Sequence, residues 1–120
     1  MAATVTTDLA GGVLTVTLNR PEQLNALSFP MQRELAGVWA AAQGDPGVRC
    51  VLLTGAGRAF CAGADVADLA AITATDQAGT KRVEFCPAAS LEIPVVLAVN
   101  GLCVGAGLRF LADADISIAS

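Results

Sequence analysis

The sequence of 120 residues predicts an α/β fold, a mostly parallel sheet flanked by helices, on three observations. Val13 to Asn19 alternates strictly, with Leu14, Val16 and Leu18 on one side and Thr15 and Thr17 on the other, the period of a half-buried strand. From Pro30 to Gln43, the positions Met31, Leu35, Val38, Trp39 and Ala42 recur at the spacing of one helix face. Cys50-Val51-Leu52-Leu53 and Val95 to Val99 are short apolar runs of the kind that doubly covered parallel strands show.

Taken in order, Thr4 to Leu9 is a Thr-rich strand that Gly11-Gly12 turns into Val13 to Asn19, so a hairpin opens the chain. Proline donates no ladder hydrogen bond, and Asn19-Arg20-Pro21-Glu22 therefore ends the second strand. Ser28 is positioned to cap the helix and Gly44 to stop it. Asp45-Pro46-Gly47 then turns the chain into a central strand, Arg49 to Thr54. Helix formers fill Val66 to Ile72 and Thr75 to Leu91, the second broken at Pro87. The strand Val95 to Val99, a helix Ala106 to Ala112 and a strand Asp115 to Ala119 complete the order. A buried-type strand at the end of the chain reads as a fold cut short or completed by a partner.

Composition narrows the function. A hydrophobic content of 54% with 15% charged residues belongs to a core-former. The net charge is −4 and the seven Lys and Arg are scattered, so nucleic acid is not an expected partner. The first residues, Met1 to Asp8, have neither a basic nor an apolar leader region, which predicts a cytoplasmic protein. The longest uncharged run, Ile93 to Leu108, is interrupted by Pro94, Asn100 and glycines and is too short for a membrane span. Cys50, Cys61, Cys86 and Cys103 form no metal-type pair, and histidine is absent, so no metal site and no His-based nucleophilic catalysis is expected. Cys61 reads as a small core residue, having no identifiable cation to lower its pKa.

Two loops of small residues follow the central strands. Gly55 to Asp65 follows Arg49 to Thr54, and Asn100 to Gly107 follows Val95 to Val99. Ligands of open α/β sheets sit at strand C-terminal ends, and small residues let them approach backbone N–H groups. Two converging N–H donors would stabilise an oxyanion such as a thioester enolate. Tight turns alone are the plainer use of such glycines. A dinucleotide fingerprint fails because Phe60 and Phe110 stand where third glycines would be needed, and no G-x-x-x-x-G-K loop occurs.

Asn19-Arg20-Pro21-Glu22-Gln23-Leu24-Asn25-Ala26-Leu27, Val51 to Gly55, Arg58 to Asp65 and Pro94 to Gly107 together, in that order, resemble the crotonase (enoyl-CoA hydratase/isomerase) family. The resemblance implies a crotonase-like ββα spiral core, truncated, with residues 1–120 its N-terminal part and the C-terminal helical trimerisation region absent. It implies an acyl-CoA thioester as partner, no cofactor beyond coenzyme A as part of the substrate, fatty acid metabolism, and a homo-oligomer, trimer or hexamer.

The same resemblance implies an oxyanion hole made by the Ala62 and Ala106 amides. Leu24, Ala26, Ala62, Gly63, Ala64, Asp65 and Gly105 would bind substrate, and Arg20 or a neighbouring basic residue would meet a CoA phosphate. Alanine at 106, where the family more often has glycine, keeps the donor but disfavours positive φ. Arg109 occupies the position of one of two catalytic glutamates of hydratases, and the second would fall beyond Ser120. A guanidinium that stays charged neither deprotonates water nor protonates carbon, so hydration by this chain is expected to be weak or absent. Asp65 reads as the cap of the helix from Val66, with Asp65 or Asp68 as a base the alternative; Asp113 and Asp115 read as turn residues. The alternative function is a non-catalytic acyl-CoA binder or interaction subunit, completed by self-association or a partner.

Overall fold

A computed structural model of the chain describes residues 3–64, 85–87 and 91–120. Strands β1 (Val5–Ala10) and β2 (Val13–Leu18) form the expected hairpin through Gly11-Gly12, in register from Val5↔Leu18 to Ala10↔Val13. Helix α1 (Phe29–Gln43) follows, then β3 (Cys50–Gly55) and a short β4 (Ala59–Cys61). After β5 (Val95–Val99) come β6 (Leu102–Cys103), a 3₁₀ turn at Gly105–Gly107, α2 (Leu108–Asp113) and β7 (Ile116–Ala119). The main sheet has the order β1-β2-β3-β5-β7, antiparallel in the hairpin and parallel from β2 to β7. A second, two-stranded parallel sheet pairs β4 with β6.

The period-two pattern of β2 puts Leu14, Val16 and Leu18 into the core, and register carries that face onto Val51 and Leu53 of β3 and Val95, Leu97 and Val99 of β5. Met31, Leu35, Trp39 and Ala42 of α1 join the same cluster, as their spacing predicts, with Val38 at its margin. The apolar run Cys50 to Leu53 predicts a strand covered on both faces. Instead Val51 and Leu53 are sealed while Cys50 and Leu52 are half-buried, so β3 behaves as an alternating strand.

Helix α1 starts where its residues specify. The Ser28 side chain accepts from the Met31 N–H at 3.2 Å, and Pro30 sits in the first turn, where its missing N–H costs nothing. Gly44 ends it with a right-handed φ of −87°, so the stop does not use glycine's left-handed freedom. The helix expected from Ala106 starts instead at Leu108, behind the tighter 3₁₀ turn. The helix expected over Val66 to Ile72 lies outside the described residues. Of Thr75 to Leu91, the described Phe85 and Cys86 are not helical, in keeping with a break at Pro87. Among the described residues no helix is long and apolar enough to cross a membrane.

Trp39 ties α1 to the chain between β4 and β5, because its buried Nε1–H donates to the Phe85 carbonyl at 2.6 Å. Trp39→Phe keeps most of the apolar volume but orphans that carbonyl. We expect a loss of about 1–3 kcal/mol in folding free energy, read as a lower denaturation midpoint at unchanged m-value.

Candidate active site

Because β3 and β5 are parallel neighbours, Val51↔Val95 to Leu53↔Leu97, both chains leave the sheet at the same edge. Each then turns into a short strand, and β4 and β6 lie side by side with Cys61 opposite Cys103. Sequence reasoning reads these stretches as loops, since two or three residues show no period. Their pairing brings the two small-residue segments into contact. A Cβ built on Gly63 would lie 3.2 Å from the Val104 carbonyl oxygen and 3.3 Å from the Ala106 nitrogen.

The direction of the N–H groups follows from peptide geometry. The Cys61 carbonyl accepts from the Val104 N–H at 3.1 Å, facing the second loop, so the trans peptide sends the Ala62 N–H the other way, to the Leu24 carbonyl at 3.0 Å. Ala62, expected as an oxyanion donor, is therefore already bonded within the protein. In a regular strand the Ala64 N–H would point the same way as that of Ala62. Gly63, with φ of +100°, reverses the next peptide: its carbonyl accepts from the Leu27 N–H at 2.7 Å. The Ala64 N–H consequently turns away from residues 24–27. It and the Ala106 N–H donate to no backbone carbonyl among the described residues. Ala106 is the second residue of the 3₁₀ turn, where first-turn donors have no partner within the turn. Positive φ at this bend falls on Gly105, at +57°, and Ala106 is not among the positive-φ residues, so its methyl group costs no strain.

Two asparagines hold the first loop, a role the motif reading misses. Asn25 Nδ2 donates to the Ala56 and Ala59 carbonyls, each at 2.9 Å. Asn100 Nδ2 donates to those of Gly55 and Gly57 at 2.8 and 3.0 Å. The turn between them is so tight that a Cβ on Gly55 would meet the Ala59 carbonyl oxygen at 2.5 Å. Leu24 and Ala26 lie in the turn segment that runs against the first loop, and Leu27 bridges to Ala64. Arg20, expected at a CoA phosphate, donates its Nη1–H to the Ala26 carbonyl and so buttresses this segment.

Arg109 is exposed on α2, with its guanidinium carbon 4.7 Å from the centroid of the Phe85 ring. Phe85 packs edge-on to Phe110 at 5.2 Å, and Phe110 to Phe60 of β4 at 5.9 Å. Asp115 accepts from the Val95 N–H at 2.8 Å at the start of β5, the strand end opposite the loops, as a turn residue should. A cleft of about 200 Å³ lined by Leu91 to Val95, Asp113 and Asp115 lies at that opposite end too. Asp65 and Asp68 lie outside the described residues. No three His, Cys, Asp or Glu groups among the described residues assemble a metal site.

Together these features define an α/β protein with two small-residue loops in contact at the C-terminal edge of a parallel sheet. The chain belongs to the enoyl-CoA hydratase/isomerase family, whose profile matches residues 8–120. It is 40% identical over 119 residues to the mevalonyl-coenzyme A hydratase SIDH of Beauveria bassiana, covering 90% of this chain and 42% of that protein. It is 41% identical over 116 residues to the 1,2-epoxyphenylacetyl-CoA isomerase of Escherichia coli, covering 91% and 44%. The crystal structure of an enoyl-CoA hydratase/isomerase from Mycobacterium paratuberculosis superposes with a TM-score of 0.82 at 37% identity, covering 98% of this chain and 45% of that one. The fold is thus that of the family, and the chain spans about half the length of the relatives it matches.

Burial pushes the Cys61 thiol up to about 11 from 9.0, opposed by a hydrogen bond with the Gly63 backbone and reinforced by Cys103 nearby. Burial also raises Cys103. A thiol held protonated is a poor nucleophile, consistent with Cys61 as a core residue. The folded state binds this proton more tightly than the unfolded one, so the stabilisation is complete below pH 9.0 and lost as pH rises toward about 11. Denaturant melts across that window should show stability falling, with a shallower fall in Cys61→Ala.

Proposed function

We propose that the chain binds an acyl-CoA thioester and polarises its carbonyl between the Ala64 and Ala106 N–H groups. The observation that carries this reading is the reversed Gly63–Ala64 peptide, which turns an unbonded N–H toward the segment that presents the second one. Negative charge that develops on a thioester oxygen during enolate formation needs such donors, each worth roughly 3 kcal/mol in measured cases. Leu24, Ala26, Gly63 and Gly105 would line the path of the substrate, and coenzyme A enters as part of it, with no separate cofactor. Cytoplasmic location, fatty acid metabolism and assembly as a homo-oligomer belong to the same reading.

Hydration is not part of it. Arg109 is a permanent cation directed at the Phe85 ring, and a cation supplies neither the base that activates water nor the acid that protonates the α-carbon. Incubation with a short 2-enoyl-CoA should give no turnover above background in a spectrophotometric assay, and robust hydration would overturn this assignment.

Calorimetric titration with butyryl-CoA and with its thioether analogue, which lacks the carbonyl, tests the donors directly. The thioester should bind more tightly, and Gly63→Ala should cut that preference about tenfold, since an L side chain resists the φ that reverses the peptide. Equal affinity for both ligands would sink the reading.

A second reading, an interaction subunit, is favoured by Ile116 and Ile118, which are 57% and 62% exposed on one face of β7. Register continues that face through Val96 and Leu52, so the apolar surface is contiguous. Light scattering should show self-association that the double substitution Ile116→Thr, Ile118→Thr reduces; a concentration-independent monomer would exclude it.

A further inference from the structure

Asn25 is a fully buried polar residue in a segment whose neighbours Leu24, Ala26 and Leu27 are apolar. Its carboxamide is fully specified: Oδ1 accepts from the Arg20 N–H at 2.7 Å, while Nδ2 donates to Ala56 and Ala59. One partner is a donor and two are acceptors, so the group has a single orientation. Its backbone is left-handed, with φ of 58° beside 53° at Leu24, a conformation asparagine tolerates better than most residues. Those two turned residues aim the Leu24 carbonyl at Ala62 and bring Leu27 to the Gly63 carbonyl.

The stretch of the first loop around β4 is therefore gripped at both ends by one segment. Asn25 holds its start, at Ala56 and Ala59, and Leu24 and Leu27 hold its end, at Ala62 and Gly63. Asn100, which leads into the second loop, reaches the same Ala59 carbonyl at 3.4 Å. Ala59 is thus a common anchor for the segments that carry Ala64 and Ala106. A shift of the first grip by a few tenths of an ångström would tilt the Gly63–Ala64 peptide relative to Ala106.

We infer that Asn25 is a positioning residue for thioester polarisation: its side chain sets where the Ala64 N–H sits relative to that of Ala106. This inference rests on the acyl-CoA reading above. It goes beyond that reading in assigning the precision of the hole to a buried carboxamide that touches no substrate.

The test compares wild type with Asn25→Asp and Asn25→Gly. Aspartate keeps the shape and tolerates the left-handed backbone, but sets an acceptor against two carbonyls; glycine keeps the backbone and removes the grip. Binding of free coenzyme A, of butyryl-CoA and of its thioether analogue is measured by calorimetry. The carbonyl stretch of bound butyryl-CoA, isotope-labelled at the thioester, is followed by infrared difference spectroscopy. Wild type should move the stretch to lower frequency. Both variants should lose most of that displacement and about tenfold in thioester-over-thioether preference, with free coenzyme A affinity retained. A displacement undiminished in the variants would overturn the inference while leaving the acyl-CoA reading intact. No displacement in wild type would overturn both. Loss of the cooperative melting transition in both variants would assign Asn25 to folding alone, and would overturn it equally.

Discussion

A trans peptide cannot aim its carbonyl and its N–H at the same neighbour, and at the first loop this rule decides what each group can do. The Cys61–Ala62 peptide spends its carbonyl on the second loop and its N–H on Leu24. Two residues later the Gly63–Ala64 peptide is turned over, with its carbonyl on Leu27. The first arrangement joins the two loops; the second leaves an N–H facing the place where they meet. Both are needed, because a peptide that fastened the loops together could not also serve a ligand with the same atoms. Gly63 is the residue that permits the change, by adopting a φ of +100° in a segment otherwise extended.

That local reversal depends on the parallel pairing of β3 with β5, since only parallel neighbours deliver both loops to one edge. The hairpin contributes through its second strand, which pairs with β3 along its full length and runs on into the segment carrying Leu24 to Leu27. Three chain segments far apart in sequence thus meet at one edge. Many of their carbonyls and N–H groups pair with one another, whereas the Ala64 and Ala106 N–H groups donate to no backbone carbonyl among the described residues.

Much of this was legible in the sequence where a residue's type determines its behaviour over several positions. The alternation of β2, the apolar face of α1 and the cap at Ser28 follow from period and chemistry, and the structure has each of them. Strands β4 and β6 were not legible, because two or three residues show no periodicity and their pairing is set by the strands before them. The loop was legible but its donor was not: small residues at 62–64 announce a close approach, yet which peptide faces the ligand depends on a single φ at Gly63. Asn25 escaped for a related reason. That it turns inward, beneath Ala56 and Ala59, is a property of tertiary packing.

Backbone donors and side-chain acids also respond differently to substitution, which bears on Arg109. The polarising part of such a site is made of N–H groups, so it survives changes of side chain provided the φ angles are kept; alanine at 106 meets that condition because Gly105 takes the positive φ. Proton transfer has no such protection, since one residue change removes the acid or base altogether. Relatives at 40% and 41% identity are a hydratase and an isomerase, so the shared backbone is compatible with more than one reaction. In this chain Arg109 is drawn onto Phe85, at the end of the aromatic stack that runs through Phe110 to Phe60. Its guanidinium there covers an apolar surface, a packing role that a shorter, anionic glutamate could not fill.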